Sequence, residues 1–79
     1  MEKRIKLPQE TRTFEMTGTD TYLLARTGRY IAAGTELTIG DPIVVGYDHH
    51  DQVAVPIVEG DVDGIYLLLQ EIGLPELTN

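Results

Sequence analysis

The chain of 79 residues contains no cysteine, no serine and no tryptophan. Without cysteine it can form neither disulfide bonds nor thiolate metal sites, and the two commonest nucleophiles of covalent catalysis are both missing. No apolar run approaches the length of about 20 residues that a membrane-spanning helix needs. A small domain that lacks such cross-links often gains stability by oligomerising or by binding a larger partner.

Positive charge is also missing from most of the chain, because all six Lys and Arg residues precede position 30. Residues 1–30 carry these six basic groups and four acidic groups, whereas residues 31–79 carry nine acidic groups and no basic one. The local charges of +2 and −9 add to the net charge of −7. A nucleic-acid binder needs a basic face that releases counterions from phosphates, so we expect no direct binding of nucleic acid. The separation of charge favours an assembly protein.

The N-terminal segment, residues 1–11, has no clean hydrophobic period and includes Pro8. We therefore predict an extended basic arm over residues 1–11, followed by a single small β domain over residues 12–79. Within the arm, apolar and basic residues alternate, as they do in a strand that adds to the edge of a sheet. The residues predicted to bind a partner through this arm are Lys3, Arg4, Ile5, Lys6, Leu7 and Arg12.

Short β-prone stretches follow the arm, and turn-forming residues separate them. Their spacing of roughly 8–12 residues predicts an all-β fold, either a small barrel or a β-clip-like sandwich of short strands. Pro42 is expected at the start or edge of a strand, and Pro56 at an edge. The predicted strands are residues 11–16, 19–26, 30–32, 37–39, 43–47 and 52–58, with turns at 27–29, 48–51 and 59–64.

The last apolar run, Ile65 to Ile72, is consistent with either a buried strand or two helical turns. The glycines at its two ends and the Ile-Tyr pair at its start favour a strand. Leucine, glutamine and glutamate in its second half are good helix formers, so both alternatives stay open.

Two polar turns contain the candidate metal ligands. Residues 48–51 read Asp-His-His-Asp, but no second group of ligands stands at zinc-like spacing, so a solvated turn is expected. Residues 59–64 alternate acidic residues with glycine or valine but lack the ligand spacing of a calcium loop. No set of residues fits the roles of nucleophile, base and acid. We therefore expect that the protein is not an enzyme and that it binds neither a metal ion nor a cofactor.

The segments AGTELT (33–38) and GDPIVV (40–45) resemble a turn found in small β-clip and hammerhead-like domains. Biotinyl and lipoyl carrier domains have a similar sequence pattern, but they carry their cofactor on a lysine of an exposed hairpin. No lysine follows Lys6 in this chain. Antifreeze-like and related sugar-acid-binding domains place a flat binding face after a comparable turn. The chain also resembles, over residues 33–72, the head decoration (capsid cement) proteins of tailed bacteriophages.

The resemblance to decoration proteins implies a small β domain that binds the outside of an icosahedral capsid and stabilises it. It implies the major capsid protein as partner, a homotrimer on the shell, an N-terminal segment in contact with the shell and no catalytic residues. The protein would then be made in the host cytoplasm and end on the exterior of the virion, without contact to a membrane. The alternatives are a small ligand-binding domain of the sugar-binding kind and a connector or adaptor protein of the virion.

Overall fold

The computed structural model describes residues 1–18, 22–59 and 64–75. The described strands form two antiparallel sheets, one of two strands and one of five, and a single helical turn follows the last strand. No helix within the described ranges is long and apolar enough to cross a membrane. The elements are β1 (Lys3–Lys6), β2 (Thr11–Met16), β3 (Leu24–Ile31), β4 (Glu36–Ile39), β5 (Ile43–Tyr47), β6 (His50–Pro56), β7 (Ile65–Leu68) and α1 (Leu69–Ile72).

The sheets run in the orders β1-β4 and β3-β2-β7-β6-β5. Neighbouring residues of β6 and β7 point to opposite faces of the large sheet. Near the centre of the sheet, the side chains on both faces are buried. One face packs against the β1-β4 sheet through the cluster of Ile5, Leu7, Leu37, Ile39, Val55, Ile57, Leu67 and Ile72. The other face holds the cluster of Phe14, Leu24, Val45, Ala54 and Leu68.

The five-stranded sheet curls so that its first and last strands approach each other. The Gly46 N–H group of β5 donates a hydrogen bond of 2.7 Å to the carbonyl of Tyr22. Leu23, next in the chain, forms an isolated parallel β-bridge with Gly46. Within the described residues this one bridge is the only pairing between the two edges. The all-β, sandwich-like prediction is therefore confirmed, whereas the alternative of a closed barrel is not.

The predicted N-terminal arm is not free over residues 3–7. Lys3–Lys6 pairs antiparallel with Glu36–Ile39, and the Leu7 N–H group donates a hydrogen bond of 2.9 Å to the Thr35 carbonyl. Ile5 is 6% exposed and Leu7 1% exposed, both in the core between the sheets. The prediction was wrong for this stretch because the apolar side chains that alternate with Arg4 and Lys6 bury against the molecule's own sheet rather than a partner's.

The predicted turn at residues 27–29 is a bulge inside one continuous strand. Arg12 pairs with Tyr30 and Phe14 with Arg26, so three residues of β3 oppose the single residue Thr13 of β2. Gly28 adopts a positive φ of 85° there. The Thr13 hydroxyl holds the bulge through the Thr27 hydroxyl and through the Arg29 carbonyl at 3.0 Å. A bulge of this kind uses turn chemistry without ending the strand.

The run from residue 65 to residue 72 contains both predicted structures, a strand followed by a helical turn. Ile65–Leu68 is the strand β7, and Leu69–Ile72 is one helical turn that ends at Gly73, which has a φ of 81°. The helix formers in the second half therefore follow their intrinsic preference once the buried strand has ended. Gly73 closes the turn in the left-handed conformation that glycine tolerates best.

The other strand predictions hold with small changes at the ends. The ranges 11–16 and 43–47 are confirmed as β2 and β5, and Pro42 directly precedes β5, an edge strand. Pro56 was expected at an edge, but it ends β6, an interior strand, beyond the last pair with β5. There the Gly40 N–H group donates to the Pro56 carbonyl at 2.9 Å. Most of the predicted turn at 59–64 and the first part of the strand predicted at 19–26 lie outside the described residues.

We predict that Gly28→Ala destabilises the protein by about 1 kcal/mol, because a Cβ atom strains a residue at positive φ. No atom lies within 4 Å of the position a Cβ would occupy, so the cost is one of backbone conformation alone. Gly28→Asn should cost less, since asparagine tolerates this conformation better. Urea unfolding gives the free energy of unfolding of the wild type and of both variants. Equal stability of the wild type and the alanine variant would contradict the positive φ assigned to Gly28.

Leu7→Ala should lower the free energy of unfolding by about 2–5 kcal/mol, the usual cost of truncating a fully buried leucine. Lys6→Ala, one residue away on the exposed face, should change it by less than about 0.5 kcal/mol. The measurement is urea unfolding followed by circular dichroism. Similar, small effects of both substitutions would mean that residues 3–7 are an arm after all.

Candidate functional site

The six residues predicted to bind a partner fall into three groups. Ile5 and Leu7 are core residues and cannot contact another molecule while the domain is folded. Arg4 and Arg12 are engaged in ion pairs inside the molecule, as described below. Lys3 and Lys6 are exposed and form no ion pair with any described residue. Of the six, these two lysines are therefore the ones whose charge no described residue neutralises.

Arg4 connects the two-stranded sheet to the segment that follows β6. Its Nη1 atom pairs with Glu59 Oε1 and donates a hydrogen bond of 3.3 Å to Thr38 Oγ1. The same Glu59 oxygen accepts a hydrogen bond of 2.8 Å from the Thr38 N–H group of β4. A carboxylate that takes both a guanidinium and a backbone N–H is well satisfied, so this network fixes β1 on β4.

Arg12 makes the more extensive of the two ion pairs. Its Nε atom donates to Glu71 Oε1 at 2.9 Å and to Oε2 at 3.0 Å, while Nη2 donates to Oε2 at 2.6 Å. The guanidinium carbon lies 5.1 Å from the ring centroid of Phe14 and 5.5 Å from that of Tyr47. The hydrogen bonds that Arg12 donates to the Glu71 carboxylate raise the pKa of Arg12, and partial burial opposes that rise. Arg12 thus ties β2 to α1 through a forked hydrogen bond above two aromatic rings.

The Asp-His-His-Asp segment forms the tip of the β5-β6 hairpin. Asp48 and His49 are the two residues of the loop, with positive φ angles of 55° and 64°, the signature of a type I′ turn. His50 and Asp51 already belong to β6. Within the described residues no group of three His, Cys, Asp or Glu side chains lies close enough together to hold a metal ion.

An open groove of about 680 Å³ lies on one side of the molecule, between β2-β3 and β4. Leu37 and Ile57 are its buried apolar residues, and Ile31 and Ile65 are partly buried. Glu15, Glu36 and Arg29 line the same groove and make no ion pair with a described residue, and Tyr30 stands beside them. Its volume falls within the range of small-molecule sites.

An exposed apolar patch on the β5-β6 hairpin is the feature that the sequence analysis missed. Val44 (62% exposed) lies directly opposite Val53 (40% exposed). A Cβ atom on Gly46 would point to the same face as Val44 and would meet Leu23 Cδ2 at 2.8 Å, so the half-exposed Leu23 side chain covers that face as well. We call Leu23, Val44 and Val53 the hairpin patch.

The position of the hairpin patch follows from the register of the hairpin. Beyond Val53, the same face of β6 continues into Val55 and Ile57, which the β1-β4 sheet covers. The patch is therefore a part of the large sheet that the small sheet does not cover. A two-residue loop at Asp48 and His49 would have placed Val44 opposite Val53, but the expectation of a four-residue tip obscured this register.

Comparisons of the chain with models of known protein families, with curated proteins and with solved structures find no match. Among the described surfaces, three could bind a partner or a ligand: the hairpin patch, the two lysines of β1 and the open groove.

Arg12→Lys should lower the free energy of unfolding by about 1–2 kcal/mol, because lysine cannot reproduce the forked hydrogen bond or the contact with the aromatic rings. Arg26→Lys, which lies on exposed β3 without an ion pair to a described residue, serves as the control and should stay within about 0.5 kcal/mol of the wild type. Urea unfolding at neutral pH measures both. Equal losses of unfolding free energy in the two variants would mean that the forked hydrogen bond and the ring contacts of Arg12 add nothing specific to stability.

Proposed function

We propose that this protein is a structural assembly protein of a virion, and within that class a decoration protein that binds the outside of an icosahedral phage capsid. The hairpin patch is the observation that carries the proposal. A domain this small has little apolar surface beyond what its core needs. It nevertheless leaves three large apolar side chains exposed together on one face. Apolar side chains grouped in this way are typical of a surface that another protein covers.

The partner that we propose is the major capsid protein, with the hairpin patch as the principal contact. Burial of roughly 300 Å² of apolar surface contributes about 7 kcal/mol before the costs of association. A contact of this size is weak on its own, but its repetition over a shell opposes the outward pressure of packaged DNA at many positions. The proposed location is the exterior of the virion.

The structure changes the mechanism that the sequence indicated for the first residues. Because Ile5 and Leu7 belong to the core, residues 1–7 do not provide an apolar strand to the shell. Their contribution to binding is reduced to the charges of Lys3 and Lys6. The proposal therefore moves the main contact from the N-terminal segment to the β5-β6 hairpin.

The open groove supports a second candidate, a small ligand-binding β domain of the sugar-binding kind. Carboxylates and a guanidinium that no described residue pairs stand beside an exposed tyrosine, and such groups are suitable for polar ligands with hydroxyl groups. The two functions use different surfaces, since none of the residues that line the groove belongs to the hairpin patch. Substitutions in one surface should therefore leave the other function intact.

The paired substitution Val44→Thr with Val53→Thr should weaken binding to expanded, DNA-free shells of the parent phage at least about tenfold, a loss of ~1.4 kcal/mol. Threonine keeps the shape and strand preference of valine and removes apolar surface. Val58→Thr is the matched control, because Val58 is similarly exposed (37%) but lies outside the hairpin patch. Co-sedimentation over a range of protein concentrations gives the affinities.

The control variant should bind like the wild type. An equal loss in Val58→Thr would show that the effect is not specific to the patch. No saturable binding of the wild type to expanded shells would remove the proposal altogether. In that case ligand-induced changes in the NMR signals of Tyr30 and Ile31 would support the groove function.

A further inference from the structure

Most strand edges in the described part of the chain are occupied or irregular. In the small sheet, the outer side of β4 is covered, because Val58 N–H donates to the Thr38 carbonyl at 2.9 Å. In the large sheet, the Tyr22 carbonyl closes the edge of β5 at Gly46, and the bulge at Gly28 interrupts β3. Within the described ranges, β1 is therefore the edge strand whose outer side is regular and pairs with no other strand.

The outer side of β1 offers the backbone groups of every second residue. Leu7 N–H donates to the Thr35 carbonyl beside β4, so the backbone groups of residues 3, 5 and 7 face β4. By alternation, the N–H and C=O groups of Glu2, Arg4 and Lys6 face outward. A second strand could therefore bond to three residues along this side.

Two β1 edges from different copies fit together antiparallel in one register that satisfies all of these groups. Arg4 then pairs with Arg4 of the second copy, and Glu2 of each copy pairs with Lys6 of the other. A shift of two residues in one direction sets Arg4 opposite Lys6 and places Glu2 opposite Pro8, which has no N–H group to donate. A shift in the other direction sets Lys3 opposite Lys3 and leaves Lys6 without a strand partner.

The charges of β1 are self-complementary in this register. Charged side chains on an edge strand commonly prevent pairing with another chain, because they meet like charges or lose water. Lys6, however, lies opposite Glu36 of β4 in its own chain and would lie opposite Glu2 of the second copy on its other side. Lys3 would lie opposite the apolar Ile5. Opposite charges on adjacent strands stabilise a sheet, and this register provides two new pairs of them.

The two Arg4 residues would meet at the centre of the contact, but their charges are neutralised within each copy. Each guanidinium extends across β4, where it donates to Thr38 Oγ1 at 3.3 Å and pairs with Glu59. The Arg4 side chains therefore lean away from the β1 edge. The Met1 amino group is likewise paired inside its own chain, with Asp41. Neither group brings an unneutralised cation to the contact.

We propose that two copies of this chain associate through the outer edges of β1, antiparallel, in the register that pairs Glu2 of each copy with Lys6 of the other. The contact joins the two small sheets in the strand order β4-β1-β1-β4. It is isologous and closes at two copies, whereas the resemblance to decoration proteins implies three. The inference goes beyond the proposed function and does not depend on it. A dimer would present two hairpin patches, so that binding of one raises the effective concentration of the other.

Backbone amides report this contact directly. An edge contact of about five residues is far smaller than a standard interface, so the dimer dissociates on dilution. We would follow association by analytical ultracentrifugation and amide exchange by NMR over a range of protein concentrations. The N–H groups of Arg4 and Lys6 should become protected as the concentration rises. Those of Ile5 and Leu7, which face β4, should be protected at every concentration.

Charge reversal tests the register. Glu2→Lys makes both new pairs positive and Lys6→Glu makes both negative, so each variant alone should dimerise at least about tenfold more weakly than the wild type. An equal mixture of the two variants restores opposite charges at both pairs and should dimerise like the wild type. Mixing cannot repair a defect inside a folded monomer, so recovery would be specific to the contact.

Lys3→Glu is the matched control, because it changes the net charge as Lys6→Glu does and lies in the same strand. Its position faces Ile5 of the second copy, so its dimer affinity should stay within about threefold of the wild type. Circular dichroism verifies that each variant is folded.

The absence of a dimer at the highest soluble concentration, or no recovery in the mixture, would overturn the inference. Protection of Arg4 and Lys6 that appears only when expanded shells are added would assign the β1 edge to the capsid protein and would overturn it as well. The dimer assay contains no shell, so its failure is separate from that of the proposed function. Saturable shell binding by a monomeric protein would leave the decoration proposal standing.

Discussion

The packing of Ile5 and Leu7 against the five-stranded sheet is the contact on which the rest of the structure depends. These side chains, with Leu37 and Ile39 of β4, cover Val55, Leu67 and neighbouring residues on one face of that sheet. Without this cover, the central strands β6 and β7 would expose one apolar face to water.

The position of β1 also determines which charges remain available on the surface. Arg4 lies above β4 and is neutralised by Glu59, and Arg12 is neutralised by Glu71. The basic end of the sequence is thereby divided between internal ion pairs and a few exposed cations. The separation of charge along the sequence therefore does not carry over unchanged to the surface, because the charges of Arg4 and Arg12 are neutralised by ion pairs.

Local patterns in the sequence predicted the elements whose structure depends on local chemistry. Strands β2 and β5 follow from β-prone residues between turn signals. The turn predicted at 48–51 is shorter in the structure, a two-residue loop at Asp48 and His49. The pairing of β1 with β4 did not follow, because it joins residues 30 or more positions apart and the alternation in β1 is equally suited to a partner's sheet. The bulge at Gly28 was taken for a turn because both need a residue with positive φ.

The candidate site was predictable only in part for the same reason. Arg4 is neutralised by Glu59, which lies 55 positions away in the sequence, and no local pattern distinguishes Glu59 from the other acidic residues. Likewise the hairpin patch exists because the small sheet stops before Val53, and the extent of one sheet over another is a property of tertiary packing. Patterns of hydrophobicity indicate that a strand has an apolar face but not how much of that face is covered.

Amide hydrogen exchange over the first seven residues tests the central claim, that β1 is an integral strand of this domain. If β1 is an integral strand, exchange alternates in the free protein: Ile5 and Leu7, whose N–H groups point to β4, exchange slowly, while Arg4 and Lys6, whose N–H groups point outward, exchange fast. Uniformly fast exchange from residue 3 to residue 7 would contradict it, and with it the assignment of free edges and free charges.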